Sequence, residues 1–157
     1  MSAVEDRLKE LGLTVPDVAK PVAAYVPAVR EGNLIFTSGQ LPMVSGALVR
    51  TGKVGGGDGQ VSADDAKKLA QTCALNAIAA VKSVIGDLDK VTRVVKVVGF
   101  VASDPSFTGQ PGVINGASEL LSIAFGDAGV HARSAGGVAS VPLDAPVEVE
   151  ITVSVQD

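Results

Sequence analysis

The chain has 157 residues, of which 46% are hydrophobic, 19% charged and only 3% aromatic. This length suits one domain with a sizeable core, built from Val, Ala, Leu and Ile rather than from aromatic rings. The net charge of −4 argues against binding of nucleic-acid backbones, which needs clustered positive charge and usually stacking rings. So few charges also indicate that other subunits cover part of the surface.

A single cysteine excludes an internal disulfide and fits a reducing compartment. Charged residues recur through the first fifteen positions and leave no apolar core of a signal peptide. The longest apolar stretches are interrupted by Lys or Gly far short of a membrane span. We therefore expect one cytoplasmic domain over residues 1–157.

Local patterns place a short helix, an extended segment and a hairpin in the first third of the chain. Val4 and Leu8 recur at helical spacing before Gly12, which is typical of an amphipathic helix ended by glycine. Three prolines then exclude a second helix. The predicted elements are a helix over 3–11, an extended segment or edge strand over 14–30, a strand over 33–41, and a hairpin return arm over 47–51 that turns at Ser45-Gly46.

The rest of the chain alternates helices with strands. Ser62 is predicted to be the N-cap of a long helix, and Gly86 is predicted to end it. Its predicted buried stripe consists of Leu69, Cys73, Ala77, Ala80 and Val84. There follow a strand over 93–102 with apolar residues on both faces, a helix over 113–125, and strands over 134–141 and 147–155. This order predicts an α+β fold, in which one sheet carries two helices on one face.

The strongest candidate site combines His131-Ala132-Arg133-Ser134 with the alternating run Val147-Glu148-Val149-Glu150-Ile151. An arginine can hold a carboxylate through two hydrogen bonds, and a glutamate can accept a proton from water. This combination predicts a small acidic substrate and a hydrolytic or proton-transfer step. The alternative is structural: Arg133 pairs with Glu148 or Glu150 as an ion pair between two strands.

Other residues with chemical potential have simpler interpretations. The glycine-rich segment 52–59 lacks the order of a phosphate-binding loop, because Lys53 comes too early and no helix follows at once. We predict a flexible connection there. Cys73 is expected to be a buried structural thiol, and His131 a solvated loop residue. With one Cys and one His, no metal site is predicted.

Four polar or small residues are further candidates for a structural or a binding role. Ser38 either caps the turn at the end of its strand or contacts a ligand. The backbone N–H of Gly39 is open to close approach by a carboxylate. Asn115, near the start of the second predicted helix, is expected to be a local helix cap. Tyr25 either packs as half-buried surface or supplies a wall and a hydroxyl group to a pocket.

Taken together, these segments resemble the RidA family, also called YjgF or L-PSP proteins, in a longer and divergent branch. The resemblance covers roughly residues 20–155 and keeps the order of the family's elements. It rests on Ala24-Tyr25-Val26-Pro27-Ala28-Val29, on Asn33 through Pro42 with its Thr-Ser-Gly-Gln-Leu-Pro segment, on 87–91 leading into 94–97, and on Ala132-Arg133-Ser134 with 143–151.

The resemblance implies a chorismate-mutase-like fold and a homotrimer with three clefts between subunits. Relatives with the arginine hydrolyse reactive enamines and imines, such as 2-aminoacrylate, to a 2-keto acid and ammonia. A substrate that is already electrophilic needs only a placed water and a proton acceptor, so no cofactor or metal is implied. By resemblance, Arg133 holds the substrate carboxylate, Glu148 positions or activates water, and Tyr25, Ser38, Gly39 and Asn115 line the pocket.

Several departures from the family pattern alter the cleft. Ala135 stands where many relatives have Cys, and the N-terminal extension, segment 52–59 and segment 109–112 add length. Two alternatives to a deaminase follow. One is a non-catalytic trimer that binds small carboxylates or a partner protein. The other is an endoribonuclease, an activity reported under the L-PSP name, which the acidic charge and the single histidine disfavour.

Overall fold

A computed structural model describes residues 1–21 and 23–157 of the protein. It contains a five-stranded sheet, a small hairpin and three α-helices. The elements are α1 (Ala3–Glu10), β1 (Ala28–Glu31), β2 (Leu34–Thr37), β3 (Met43–Val44), β4 (Ala47–Leu48), α2 (Ala63–Ile85), β5 (Val91–Ala102), α3 (Gln110–Phe125), β6 (Ala132–Val138) and β7 (Val147–Val155). The predicted segment 14–30 contributes a strand only from Ala28, and its residue Val22 lies outside the described residues.

The sheet has the order β1-β2-β7-β5-β6. Only the β5–β6 pair is parallel, and the other three pairs are antiparallel. The helices α2 and α3 pack on one face of this mixed sheet and bury a core made almost entirely of aliphatic side chains. The predicted α+β class, with two helices on one face of a sheet, is therefore confirmed.

The long helix α2 begins and ends where the sequence predicts. The Ser62 hydroxyl accepts a hydrogen bond from the Asp65 amide, and Gly86 closes the helix at a positive φ of 77°. One member of the predicted stripe is wrong: Val84 is exposed, because the buried row runs instead through Val81. In the described part of the chain, no helix is both long and apolar enough to cross a bilayer.

The strand β5 has one covered face and one open face, whereas its sequence predicts that both are covered. Val94, Val97 and Val101 point toward the helices and are buried. Val98 and Phe100 point the other way and are only half-buried. The reason is that α2 and α3 both pack on the same side of the sheet, so the chain leaves the other side of β5 accessible.

The strands β6 and β7 are consecutive in the chain but are not neighbours in the sheet. β5 lies between them, parallel to β6 and antiparallel to β7. Arg133 is paired with Val97, whose side chain is on the helix-covered face. Glu148 is paired with Phe100 on the open face. The pairing therefore sends the two candidate side chains to opposite sides of the sheet.

The glycine-rich segment is held by hydrogen bonds rather than loosely attached. Val54 donates its amide to Ala102 at the end of β5, and Val61 donates to Lys53 across the loop. The Gln60 side chain accepts from the Gly57 amide and donates to Asp104. These contacts correct the predicted flexible connection, because they tie the loop to the end of β5.

Candidate functional site

A β-bulge at the end of β2 forms one half of the candidate site. Phe36 pairs with Thr152, but Gln40 pairs with Val149, so the segment from Phe36 to Gln40 contains one residue more than the facing segment of β7. The interrupted ladder is completed by the Thr37 hydroxyl, which accepts the Ile151 amide at 3.0 Å. The bulge lifts Ser38 and Gly39 out of the ladder beside β7, which is a common arrangement next to active sites.

The Glu148 carboxylate lies directly over Gly39. A Cβ atom on Gly39 would be 2.2 Å from Glu148 Oε1, so only a glycine admits the carboxylate at this position. Burial, with the negative charge of Glu150 as a second cause, raises the pKa of Glu148 above its usual 4.5. Glu148 is thus a stronger proton acceptor than an ordinary surface glutamate.

The space in front of Glu148 is a small cavity of about 60 Å³. Tyr25 and Gly39 lie in its wall, and the tyrosine is 45% exposed. The Ser38 hydroxyl donates to the Val26 carbonyl at 2.6 Å, which ties the Tyr25 segment to the bulge. Ser38 therefore joins two segments twelve residues apart rather than capping the turn at the end of its strand, and its oxygen keeps lone pairs for a ligand. The lining consists of Ala19, Lys20, Pro21, Tyr25, Pro27, Gly39, Gln40, Leu41, Met43, Pro142 and Glu148.

Arg133 forms the second half of the site at the free edge of the sheet, under α3. Its Nη1 donates to the Ser118 hydroxyl at 3.2 Å, and its Nη2 donates to the Pro111 carbonyl at 3.1 Å. Asn115 lies between these two partners along α3, on the same side of the helix. It is not a helix cap, because α3 begins at Gln110, three residues before the predicted start.

His131 is not the solvated loop residue that the sequence predicts. Its Nδ1 lies 2.6 Å from the Gly129 carbonyl oxygen, and its Nε2 lies 2.8 Å from the Ser118 hydroxyl. The ring is half-buried between the turn before β6 and helix α3. Both ring nitrogens are engaged, so His131 belongs to the group of residues that surrounds Arg133.

The two halves of the site do not meet within one protomer. Arg133 and Glu148 lie on opposite faces of the sheet, on strands separated by β5, which amounts to about 10 Å between strand axes. The four ion pairs among the described residues do not include Arg133. The predicted alternative, an ion pair from Arg133 to Glu148 or Glu150, is therefore wrong, because β6 and β7 are not adjacent.

Ser118 was missed by the sequence analysis, although a signal for it exists. Asn115 and Ser118 are three residues apart on a helix, so both face the same side. Gln40 was also missed: it is buried and exchanges two backbone hydrogen bonds with Val149, which set the register of the bulge. No sequence pattern predicts this pairing, since it depends on the extra residue between Phe36 and Gln40.

Neither a metal site nor a reactive thiol is found beside these residues. Among the described residues, no group of three or more His, Cys, Asp or Glu side chains is placed to hold an ion. Cys73 is fully buried on α2, with its thiol facing the Val147 carbonyl. Burial, reinforced by the charge of Glu148, raises the pKa of this thiol well above its usual value, so it stays protonated.

Comparison with known proteins agrees with this architecture. A sequence profile of the family described as YjgF/chorismate mutase-like, putative endoribonuclease, matches residues 5–153. Protein TCP17 of Trypanosoma cruzi is 40% identical over 155 residues, which cover 98% of this chain and 95% of that protein.

Two crystal structures share the whole fold. Atu1372 of Agrobacterium tumefaciens has a TM-score of 0.90 and 46% identity, over 98% of this chain and 93% of that one. A protein of Shewanella oneidensis, also described as a putative endoribonuclease, has a TM-score of 0.92 and 30% identity, over 97% of this chain and 99% of that one. The chain therefore belongs to the YjgF/chorismate mutase-like family, as its Thr-Ser-Gly-Gln-Leu-Pro and Ala-Arg-Ser segments predict.

Proposed function

We propose that the protein is a cofactor-independent deaminase that hydrolyses small enamines and imines of the 2-aminoacrylate type. The observation that carries the proposal is the Glu148 carboxylate, held over Gly39 in a small cavity with its pKa raised by burial. Such a group is suited to accept a proton from water at neutral pH. Arg133, a guanidinium anchored on α3, supplies the complementary group for a substrate carboxylate.

The reaction needs no redox partner. Arg133 holds the carboxylate of the imine tautomer, and water adds to the carbon of the C=N bond. Glu148 takes one proton from this water and passes it to the nitrogen, which gives a carbinolamine. The new hydroxyl group then gives up its proton, which reaches the nitrogen through Glu148, and the C=O bond forms as the C–N bond breaks. The products are a 2-keto acid and ammonia. Because the imine carbon is already electrophilic, positioning and one proton acceptor are sufficient.

The proposal requires more than one copy of the chain. Since Arg133 and Glu148 face opposite sides of the sheet, one small substrate can reach both only if they come from different protomers. The open face of the sheet supports such assembly, because it exposes the apolar side chains of Val29, Leu34 and Phe36 on neighbouring strands. We propose a homotrimer in which this face is covered and each cleft joins two half-sites.

Assembly is tested by Phe36→Glu. Light scattering of the unchanged protein should give a mass near three times 15.8 kDa. Phe36→Glu places a charge on the open face and should dissociate the trimer and abolish turnover, while far-UV circular dichroism stays unchanged. Ile123→Glu is the matched control, because Ile123 is equally exposed but lies on α3. If the protein without substitutions is a monomer and still hydrolyses the substrate, the proposal of a cleft shared between protomers is wrong.

Gly39→Ala tests the position of Glu148. The added methyl group collides with the carboxylate rather than with backbone, so the fold should survive while the side chain moves. A displacement on the order of 1 Å can cost about a hundredfold in rate, and we expect a loss of at least tenfold. Gly56→Ala is the control, since a Cβ there meets open space. Equal rates for both variants would show that this contact is not needed.

The decisive experiment is turnover of 2-aminoacrylate generated in the assay by a dehydratase. Release of 2-keto acid above the uncatalysed rate supports the deaminase. If the protein binds a stable 2-keto acid but does not accelerate hydrolysis, it is a carboxylate-binding trimer instead. Cleavage of RNA that is lost with the site variants would support the endoribonuclease description of the family. The net charge of −4 and the two carboxylates on the open face argue against that outcome.

A further inference from the structure

We propose that Ser118 and His131 form a hydrogen-bonded chain that orients the Arg133 guanidinium toward the substrate. The inference rests on the proposed function, because it assigns Arg133 to the substrate carboxylate. It adds two positioning residues, neither of which touches the substrate itself. Their effect is to present the free N–H groups of the guanidinium in one direction.

The direction of each hydrogen bond follows from the Gly129 carbonyl, which can only accept. His131 Nδ1, 2.6 Å from that oxygen, must therefore carry the proton of the neutral ring. The unprotonated Nε2 then accepts from the Ser118 hydroxyl at 2.8 Å. With its hydrogen committed to His131, the Ser118 oxygen turns a lone pair toward Arg133 Nη1 at 3.2 Å. This tautomer of His131 thus determines the direction in which the Ser118 hydroxyl donates.

The Gly129 carbonyl, at the end of this hydrogen-bonded chain, lies in a turn that is packed against α3. A Cβ on Gly129 would be 2.3 Å from the Leu121 carbonyl oxygen, so the turn before β6 packs directly on the backbone of α3. The carbonyl that holds His131 and the hydroxyl that meets Arg133 therefore belong to segments that pack directly against each other. His131, Ser118 and Arg133 close a ring of contacts between α3, this turn and β6.

The anchored guanidinium keeps enough donors for its task. Ser118 and Pro111 occupy two of the five N–H groups of Arg133, so three remain among the described residues. A carboxylate needs two parallel N–H groups for a bidentate contact. His131 has both nitrogens engaged away from this free edge, which makes it a positioning residue and not an acid or base in the reaction.

The first test separates binding from chemistry. Ser118→Ala should raise KM for the imine by about three- to tenfold, the cost of one ordinary hydrogen bond, while kcat changes less than twofold. Ser118→Thr keeps the hydroxyl and should restore most of the loss. His131→Ala should change KM in the same direction. The double variant should be no worse than Ser118→Ala, because His131 acts through Ser118. Additive effects, or an unchanged KM in Ser118→Ala, overturn the proposal.

The second test does not depend on turnover. His131 is the only histidine, so the nitrogen resonances of its ring can be assigned without ambiguity. In the neutral ring, the proton should lie on Nδ1, and a proton on Nε2 would reject the proposed hydrogen-bonded chain. The guanidinium resonances of Arg133 should shift in Ser118→Ala and stay unchanged in the control Ser122→Ala, an exposed serine one turn further along α3. If these signals behave as expected and no imine is hydrolysed, the proposed function is wrong but the hydrogen-bonded chain from His131 to Arg133 is supported.

Discussion

Arg133→Ala is expected to reduce substrate-dependent turnover by about ten- to a hundredfold. The reason is that a hydrogen-bonded charged partner of the substrate is lost, which typically costs roughly 1.5–3 kcal/mol. The protein should remain folded and assembled, since the hydrogen bonds of this side chain among the described residues go to Ser118 and the Pro111 carbonyl at the surface of α3. Steady-state kinetics with generated 2-aminoacrylate, alongside light scattering, measures both effects.

Two further variants make the Arg133 result specific. Arg133→Lys keeps the charge but should rescue poorly, because an ammonium group cannot present the planar fork of a guanidinium. Arg7→Ala is a matched control: Arg7 also donates to a carbonyl of α3, that of Ala124, but from the distant helix α1. Full activity in Arg133→Ala, or an equal loss in Arg7→Ala, rules out the proposed role of Arg133.

Glu148→Gln is expected to slow hydrolysis strongly while binding of a 2-keto acid is retained. Glutamine has the size of glutamate and one acceptor oxygen but is a far weaker base, and general-base catalysis typically contributes 10²–10⁴-fold. The same substitution should stabilise the fold. The folded-state pKa of Glu148 is raised, so the folded protein binds its proton more tightly than the unfolded chain. As pH rises from 4.5 through the raised folded-state pKa, ionisation of Glu148 lowers the stability of the folded protein. The neutral glutamine avoids this loss.

The pH dependence of turnover and of thermal stability provides a further check on the role of Glu148. The ionised form of Glu148 is the active one, so turnover should fall as pH drops through its pKa, which lies above 4.5. The difference in thermal midpoint between Glu148→Gln and the unchanged protein should be largest at neutral pH. It should shrink as pH falls below 4.5, because Glu148 then becomes protonated in the unfolded chain as well as in the folded protein.

Glu150→Gln is the necessary comparison, because Glu150 lies on the same face of β7 two residues on. It should keep turnover and move the acid limb of the rate profile to lower pH, since one cause of the raised Glu148 pKa is removed. If Glu150→Gln abolishes turnover while Glu148→Gln leaves it intact, the proton acceptor has been assigned to the wrong residue of the strand.

Local residue chemistry predicts the type and order of the main helices and strands, although bounds such as those of β6 differ from the predicted 134–141. Ser62 and Gly86 mark both ends of α2, and alternation assigns the buried side of β7 correctly from Val147 to Val155. The α+β class follows from this order of elements. These features depend on neighbours within a few residues, so a single sequence contains them. The Thr-Ser-Gly-Gln-Leu-Pro and Ala-Arg-Ser segments also predict the family, which the comparisons confirm.

The arrangement of the site is decided by tertiary pairing alone. Insertion of β5 between β6 and β7 sends Arg133 and Glu148 to opposite faces, which a spacing of fifteen residues cannot reveal. The bulge that brings Gly39 under Glu148 arises from the register of β2 on β7. The prediction that His131 is a solvated loop residue is wrong for the same reason: its partner Ser118 is thirteen residues away, on a helix. Strand order and register are set by long-range packing, so these contacts exist only once the chain has folded.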